Sequence, residues 1–248
     1  MSERFYSAEP ITGERVKLAG PEAHHLLHVM RAGAGDSVTL FDGSGAEFEA
    51  VVESLGRAVV EFRVERRLEV ARELPFPLTV GVALPKGERQ KWLVEKLTEL
   101  GVTMLVPLIT ERGVAQPTSS ALERLRRSVI EAAKQCGRNR LMTIAEPLTW
   151  HEWINGGWLG SGRPPLGGGA LELPVIRRLL AHPGGASPAQ LDLSSPLPTA
   201  LAVGPEGGFN DSEVVAATHA GWQPIDLGPR TLRVETAAIA LAAAVAMH

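Results

Sequence analysis

The run VGPEGGF at residues 203–209 sets a carboxylate at the centre of a glycine-rich turn. It follows a short apolar stretch, residues 199–203, and precedes a helix-like segment starting near Asn210. Glycines at such a strand-to-helix junction let a ligand approach the main chain closely. Glu206 would repel a phosphate there, so a phosphate cradle is disfavoured. Ribose hydroxyls, an adenine edge or a cationic ligand suit the loop better, which points to a nucleoside-like cofactor without phosphate. The plain alternative is a tight turn with a solvated Glu206. A second loop weighs against it. Residues 224–228 form another short apolar run and lead into PRTLRVETA, residues 229–237. Two strand ends with Gly/Pro-rich loops about 20 residues apart can meet at one sheet edge, where open α/β sheets bind ligands.

Cationic segments form a second group. LPKGERQKW, residues 84–92, joins a strand to a helix, and its Lys86, Arg89 and Lys91 could contact phosphates or simply open the helix. Between Ala121 and Arg140 there are six Lys/Arg against two Asp/Glu, a basic stretch in a chain of net charge −3. Such a stretch is a candidate phosphate-contacting face, or else a solvated helix surface. It ends in QCGRNR, residues 135–140, where Arg138 and Arg140 could settle the helix C-terminus or fork onto phosphate and base edges. In HHLLHVMR, residues 24–31, His24 and His28 share a helix face, but no Glu or Cys completes a zinc set nearby. No phosphate loop, dinucleotide fingerprint or G-x-S-x-G elbow occurs.

These residues need a scaffold, and the 248-residue chain can hold two small domains or one large one. With 44% hydrophobic and 21% charged residues it reads as an ordinary globular protein. One cysteine, Cys136, allows no internal disulfide and fits a reducing compartment. No signal-peptide pattern is present, and the longest apolar run, residues 237–247, is about half of a membrane span. Residues 1–72 read as a helix at 21–30 and strands at 37–43, 47–53 and 58–64, a compact barrel or small sandwich. A proline-marked linker at 73–78 follows. Beyond it strands and helices alternate: strands at 78–84, 104–109, 142–145, 170–173, 200–203 and 225–227. Helices fall at 88–100, 120–135, 175–181, 211–220 and 235–247, which argues for a mostly parallel α/β sheet. Asn210 with Glu213 forms a capping-box pattern. Residues 156–169 and 183–198 read as exposed loops.

Taken in order, these motifs resemble those of the small-subunit ribosomal RNA uracil-N3 methyltransferases, a family of the knotted SPOUT methyltransferases. The resemblance is carried by HHLLHVMR, LFDGSG (residues 40–45), KLTELGV (96–102), ERGV (111–114), QCGRNR, VGPEGGF and LGPRTLRVETA (227–237). It departs at Leu125, Met142, Thr231 and Val234, which read as packing positions. The resemblance implies a PUA-like RNA-binding β-barrel over residues 1–72. A SPOUT-type α/β domain with a C-terminal trefoil knot would follow over residues 75–248. It implies S-adenosyl-L-methionine as cofactor, a homodimer, a cytoplasmic location, and a uridine N3 of 16S rRNA in the small ribosomal subunit as methyl acceptor. Neither a metal nor a membrane is implied. Gly204, Pro205, Glu206, Gly207 and Gly208 would form one cofactor loop, and Leu227, Gly228 and Leu232 a second. Leu171, beside Glu172, would belong to a third. Arg233 would be catalytic, favouring the uracil anion, with water or Glu235 open as the base. Arg31, Arg112, Arg138 and Arg140 would hold RNA. The rival readings are methylation of an RNA ribose 2′-oxygen, a non-catalytic ribosome-assembly factor and, third, a phosphate-using nucleotide enzyme.

Overall fold

The computed structural model of the protein describes residues 3–114, 117–160 and 175–247. Two compact units emerge. One comprises the chain up to Glu73 together with Ile130–Leu141; the other comprises Leu74–Val129 and the chain from Met142 onward.

In the first unit, β1 (Arg4–Tyr6), β2 (Arg15–Ala19), β3 (Ser37–Phe41), β4 (Ala46–Leu55) and β5 (Val59–Glu69) form a mixed sheet in the order β1-β3-β4-β5-β2. The strands follow one another as half of a barrel, with β1 and β2 at its edges. Alternate residues such as Val16, Leu18, Phe48, Ala50 and Val52 are buried, as a one-faced sheet requires. They close on Phe5, Leu26, Leu40 and Phe62 in one apolar core. Gly43 and Gly45, at φ 85° and 109°, turn β3 into β4. The helix expected at 21–30 divides. It begins as α1 (Gly20–His24) and continues as a π-helical segment, His25–Met30, which Arg31 ends in the left-handed region at φ 54°.

Buried charge ties Ile130–Leu141 into this unit. Glu47 accepts from Arg4 Nη1 and Arg72 Nη1, each at 2.8 Å, and Arg72 also donates to the Gly137 carbonyl at 2.8 Å. Burial pushes the Glu47 carboxyl up, but the hydrogen bonds and charges of Arg72 and Arg4 outweigh it and hold it below the usual range. Asn139 accepts from Arg4. Lys134 Nζ reaches Glu22 at 3.0 Å and stands over the Phe5 ring.

The second unit is a parallel sheet with helices. Its elements are β6 (Leu78–Val82), α2 (Arg89–Glu99), β7 (Met104–Ile109), α3 (Ser119–Cys136, whose residues from Ile130 on belong to the first unit), β8 (Thr143–Ile144), β9 (Leu148–Thr149) and α4 (Trp150–Ile154). Then come β10 (Arg177–Ala186), β11 (Thr199–Val203), α5 (Asp211–His219), β12 (Gln223–Ile225) and α6 (Val234–Ala246). The order is β12-β10-β11-β6-β7-β8, every pair parallel, with β9 extending the β7 pairing. β6 and β11 are buried throughout, which is why LTVGV and TALAV read as unbroken, nearly apolar runs. Gly101, at φ 83°, follows the end of α2, and the Asn210/Glu213 capping box opens α5 as the sequence indicates.

One element differs in kind. Residues 175–181 were expected to be helical, yet Arg177–Ala186 is the strand β10, hydrogen-bonded to β11 on one side and β12 on the other. Leu179 and Leu180 are completely buried. A short apolar run satisfies either period, and the demand for a strand between two others decides it. Part of the loop expected at 183–198 is therefore strand, followed by a 3-10 turn at Pro188–Gln190. The strand expected at 170–173 lies outside the described residues. The last strand ends at Ile225 rather than Leu227, which leaves Leu227 in the following loop.

Candidate cofactor cavity

The carboxyl ends of β10, β11 and β12 open onto a cavity of about 480 Å³. That volume suits a nucleoside-sized ligand. The loop after β11 supplies Gly204, Pro205, Glu206, Gly207 and Gly208 to its lining. The loop after β12 supplies Leu227, Gly228 and Leu232, among others. The third contribution comes from within β10, through Ala181, His182 and Pro183.

Each loop has its shape for a local reason. After β11, the Gly208 N–H donates to the Pro205 carbonyl at 2.8 Å and Gly208 takes φ 68°. A Cβ on Gly204 would stand 3.0 Å from the Phe209 ring and 3.1 Å from its nitrogen, so a larger residue there would press on Phe209. Phe209 is buried and packs on Trp150 with ring centroids 4.2 Å apart. Within β10, Ala181 and Ala186 both pair with Ile225, so residues 182–185 loop out of the strand. Gly184 turns at φ 78°, and Gly185 passes so near β12 that a Cβ there would lie 2.4 Å from the Pro224 carbonyl.

Asp226 fastens two of these loops together. Its carboxylate accepts the Gly184 N–H at 2.9 Å and the Gly228 N–H at 2.8 Å. Those two bonds, Gly184 first, hold the carboxyl below the ordinary aspartate range, with a smaller contribution from His182. The cavity thus has apolar walls in Val203, Phe209, Ile225, Leu227 and Leu232, and its charged or titratable lining residues are Glu206 and Asp226 together with His182 and Arg230.

The remaining residues singled out from the sequence fall in different places. Leu171 lies outside the described residues. Arg233 is the N-cap of α6; it is exposed and stands between the lining residues Leu232 and Val234 without itself joining the lining. Glu235 is only 4% exposed, with Arg89 3.8 Å away. Among the described residues its Oε2 has no hydrogen-bond partner. Arg89 also faces Glu206 at 3.7 Å. Arg31 and Arg140 are exposed in the first unit, and the Arg140 guanidinium lies against Gly45. Arg112 donates to the Gly207 carbonyl at 2.9 Å. Arg138 corrects an expectation: it is 3% exposed and doubly bonded to Glu73, at 3.1 and 2.6 Å, so its guanidinium is not offered to a phosphate.

His182, Pro183 and Asp226 escaped the sequence reading. The P-G-G triplet at 183–185 was the available signal, obscured by the helical reading of the segment before it. Among the described residues no three His, Cys, Asp or Glu converge on a metal position, and no helix is long and apolar enough to cross a membrane. His24 and His28 simply pack together at 4.6 Å.

Comparison with known proteins gives this geometry a family. A model described as RNA methyltransferase domain matches residues 72–246, and one described as RNA methyltransferase PUA domain matches residues 18–65. Ribosomal RNA small subunit methyltransferase E of a Synechocystis strain is 35% identical over 92% of this chain and 72% of its own length. The protein of the same name from Mycobacterium bovis is 33% identical over 92% of this chain and 85% of its own. Among solved structures, ribosomal RNA small subunit methyltransferase E from Neisseria gonorrhoeae bound to S-adenosyl methionine superposes with a TM-score of 0.83. It shares 28% identity and covers 100% of this chain and 97% of its own. A Legionella pneumophila protein in complex with the same cofactor gives 0.85 at 30% identity, covering 99% and 97%. Sequence and fold agree along nearly the whole length, and the chain belongs to the ribosomal RNA small subunit methyltransferase E family of enzymes.

Proposed function

We propose that this protein methylates N3 of a uridine in 16S rRNA of the small ribosomal subunit, using S-adenosyl-L-methionine held in the cavity at the ends of β10, β11 and β12. The observation that carries this reading is the cavity itself. It is nucleoside-sized, apolar-walled and acid-bearing, and glycines form its rim. At Gly208 and Gly228 the main chain has positive φ, and nothing lies within 4 Å of where a Cβ would stand, so ligand atoms can come close to the peptide. The residues present therefore fit the cofactor. The 204–208 and 227–232 loops would surround its adenosine and methionine parts, with Glu206 near ribose or sulfonium.

When bound, S-adenosylmethionine supplies a methyl group made electrophilic by the adjacent sulfonium. The chain must then prepare the acceptor. A uracil N3 is a poor nucleophile until its proton leaves, and a nearby cation favours the anion. We assign that role to Arg233, which is exposed at the α6 N-cap beside the lining and, as a guanidinium, cannot itself serve as the base. The proton passes to water or to a carboxylate such as Glu235. Holding acceptor and donor together supplies a large share of the barrier reduction. Arg31 and Arg140, both exposed on the first unit, serve as phosphate contacts. We read residues 1–72 as a PUA-like domain and residues 75–248 as a SPOUT domain with a trefoil knot, the stretch Ile130–Leu141 of the latter packing within the first unit, in a homodimer working in the cytoplasm.

The test is transfer of labelled methyl from S-adenosylmethionine to unmodified small ribosomal subunits, followed by digestion and nucleoside mass analysis. N3-methyluridine is expected. A 2′-O-methyl nucleoside would overturn the acceptor, and absence of transfer with intact RNA binding would overturn the enzymatic reading.

A further inference from the structure

The 204–208 loop contains three glycines, whose main chain loses more freedom on ordering than that of any other residue. A cavity wall of this composition needs fixing from outside, and two arginines do so. Arg89, at the start of α2, faces Glu206 at 3.7 Å and is itself drawn to the buried Glu235 at 3.8 Å. Arg112, in the loop after β7, makes the closer contact. Its Nη1 donates to the Gly207 carbonyl at 2.9 Å. Its stem also covers the residue: Cδ and Cβ lie 3.4 and 3.6 Å from where a Gly207 Cβ would stand.

Arg112 can act as a brace because its own segment is pinned. The Glu111 N–H donates to Glu213 Oε1 at 3.0 Å, and the Glu111 carboxylate accepts from the Asn210 side chain. Asn210 and Glu213 are the two halves of the α5 capping box. The 111–112 segment is thus locked to the helix that the glycine loop leads into, and from there Arg112 reaches back to Gly207. A cationic donor on a neutral carbonyl is among the stronger hydrogen bonds.

We propose that Arg112 is a positioning residue for the cofactor loop, fixing the Gly207 peptide and with it one wall of the cavity, rather than a phosphate contact. This rests on the cavity being the S-adenosylmethionine site. The test compares Arg112→Met, which keeps the stem and removes the donor, with Arg112→Lys, which keeps both a stem and a donor. Amide hydrogen exchange across residues 204–209 of the ligand-free protein, S-adenosylmethionine affinity by calorimetry, and rRNA affinity by filter binding are read together. In Arg112→Met, exchange is expected to quicken and cofactor affinity to fall about tenfold, one hydrogen bond's worth. RNA affinity should stay within about twofold, and KM for the cofactor should rise while kcat at saturation changes little. Arg112→Lys should recover most of both losses. Weakened RNA binding with unchanged exchange and cofactor affinity would overturn the proposal. If the wild-type protein fails to bind the cofactor, the function reading falls, and hydrogen exchange alone still decides whether Arg112 braces the loop.

Discussion

Replacing Gly185 by alanine tests whether the excursion in β10 shapes the cavity. The added Cβ would stand 2.4 Å from the Pro224 carbonyl carbon and oxygen and 2.6 Å from the Ile225 nitrogen. All three are main-chain atoms, so no rotamer change relieves the clash. Restoring ordinary contact requires about 1 Å of separation between β10 and β12. The bond from the Asp226 N–H to the Ala186 carbonyl, 2.8 Å long, lies in the path of that movement. Overpacking costs about 1–3 kcal/mol and the weakened bond about 1 more. The expected total of about 2–4 kcal/mol lowers the unfolding midpoint by roughly 4–16 °C. Ile225, Asp226 and Leu227 move with the strand, so methyl transfer should fall about 100-fold, as a 1 Å misplacement near the chemistry can do. Gly184→Ala is the control: its Cβ meets nothing within 4 Å, and only the φ of 78° is strained, worth about 1 kcal/mol. Calorimetric unfolding and turnover of both variants decide it. A Gly185→Ala protein within about 1 °C of wild type, with normal turnover, would refute the argument.

Other outcomes follow from the same geometry. Asp226→Asn should speed exchange of the Gly184 and Gly228 amides at neutral pH. Because the folded Asp226 carboxyl is held below its ordinary value of 3.8, its contribution is complete above that pH and lost as pH falls through the depressed value. Acid unfolding below about pH 4 should therefore be less steep in Asp226→Asn; equal steepness would exclude the role. Trp150 packs on the lining residue Phe209, so cofactor titration should change tryptophan emission, and Trp150→Phe should remove most of that change. Arg138→Ala should cost about 2–3 kcal/mol, since it strands the partly exposed Glu73, while RNA affinity of the folded protein holds. Arg140→Ala should do the reverse, lowering the slope of log affinity against log salt by about 1. Arg233→Ala should bind cofactor almost normally yet lose methyl transfer; retained turnover would remove Arg233 from the mechanism.

The second unit was largely legible because its physics is local. A buried parallel strand is a nearly continuous apolar run, so β6, β7 and β11 stood out, and α2, α3 and α5 announced themselves through periodicity, a stopping glycine and a capping box. The loops at 204–208 and 227–232 were visible because glycine at a strand end has few other uses. What was hidden depends on neighbours distant in sequence. β10 is a strand because two others flank it. Asp226 looks like any loop acid until Gly184 and Gly228 present their amides, and Arg138 looks like a phosphate ligand until Glu73, 65 residues earlier, claims it. β1 carries only three residues, too few for a period to register, whereas β2, RVKLA, alternates exposed and buried residues and was legible but escaped the sequence reading.

The membership of Ile130–Leu141 in the first unit bears on how the chain is made. A ribosome releases residues 1–73 well before Lys134, Arg138 and Asn139, the partners of Glu22, Glu73 and Arg4. Until that stretch emerges, Glu22 and Glu73 lack these cationic partners. The apolar core of the N-terminal unit, drawn from residues 5–64, can close as soon as those residues emerge, as N-terminal domains usually do during synthesis, but these ion pairs cannot form until later. Its last buried charges are matched only when the third helix and the turn after it arrive, so the final electrostatic closure of the unit follows translation of a segment far downstream.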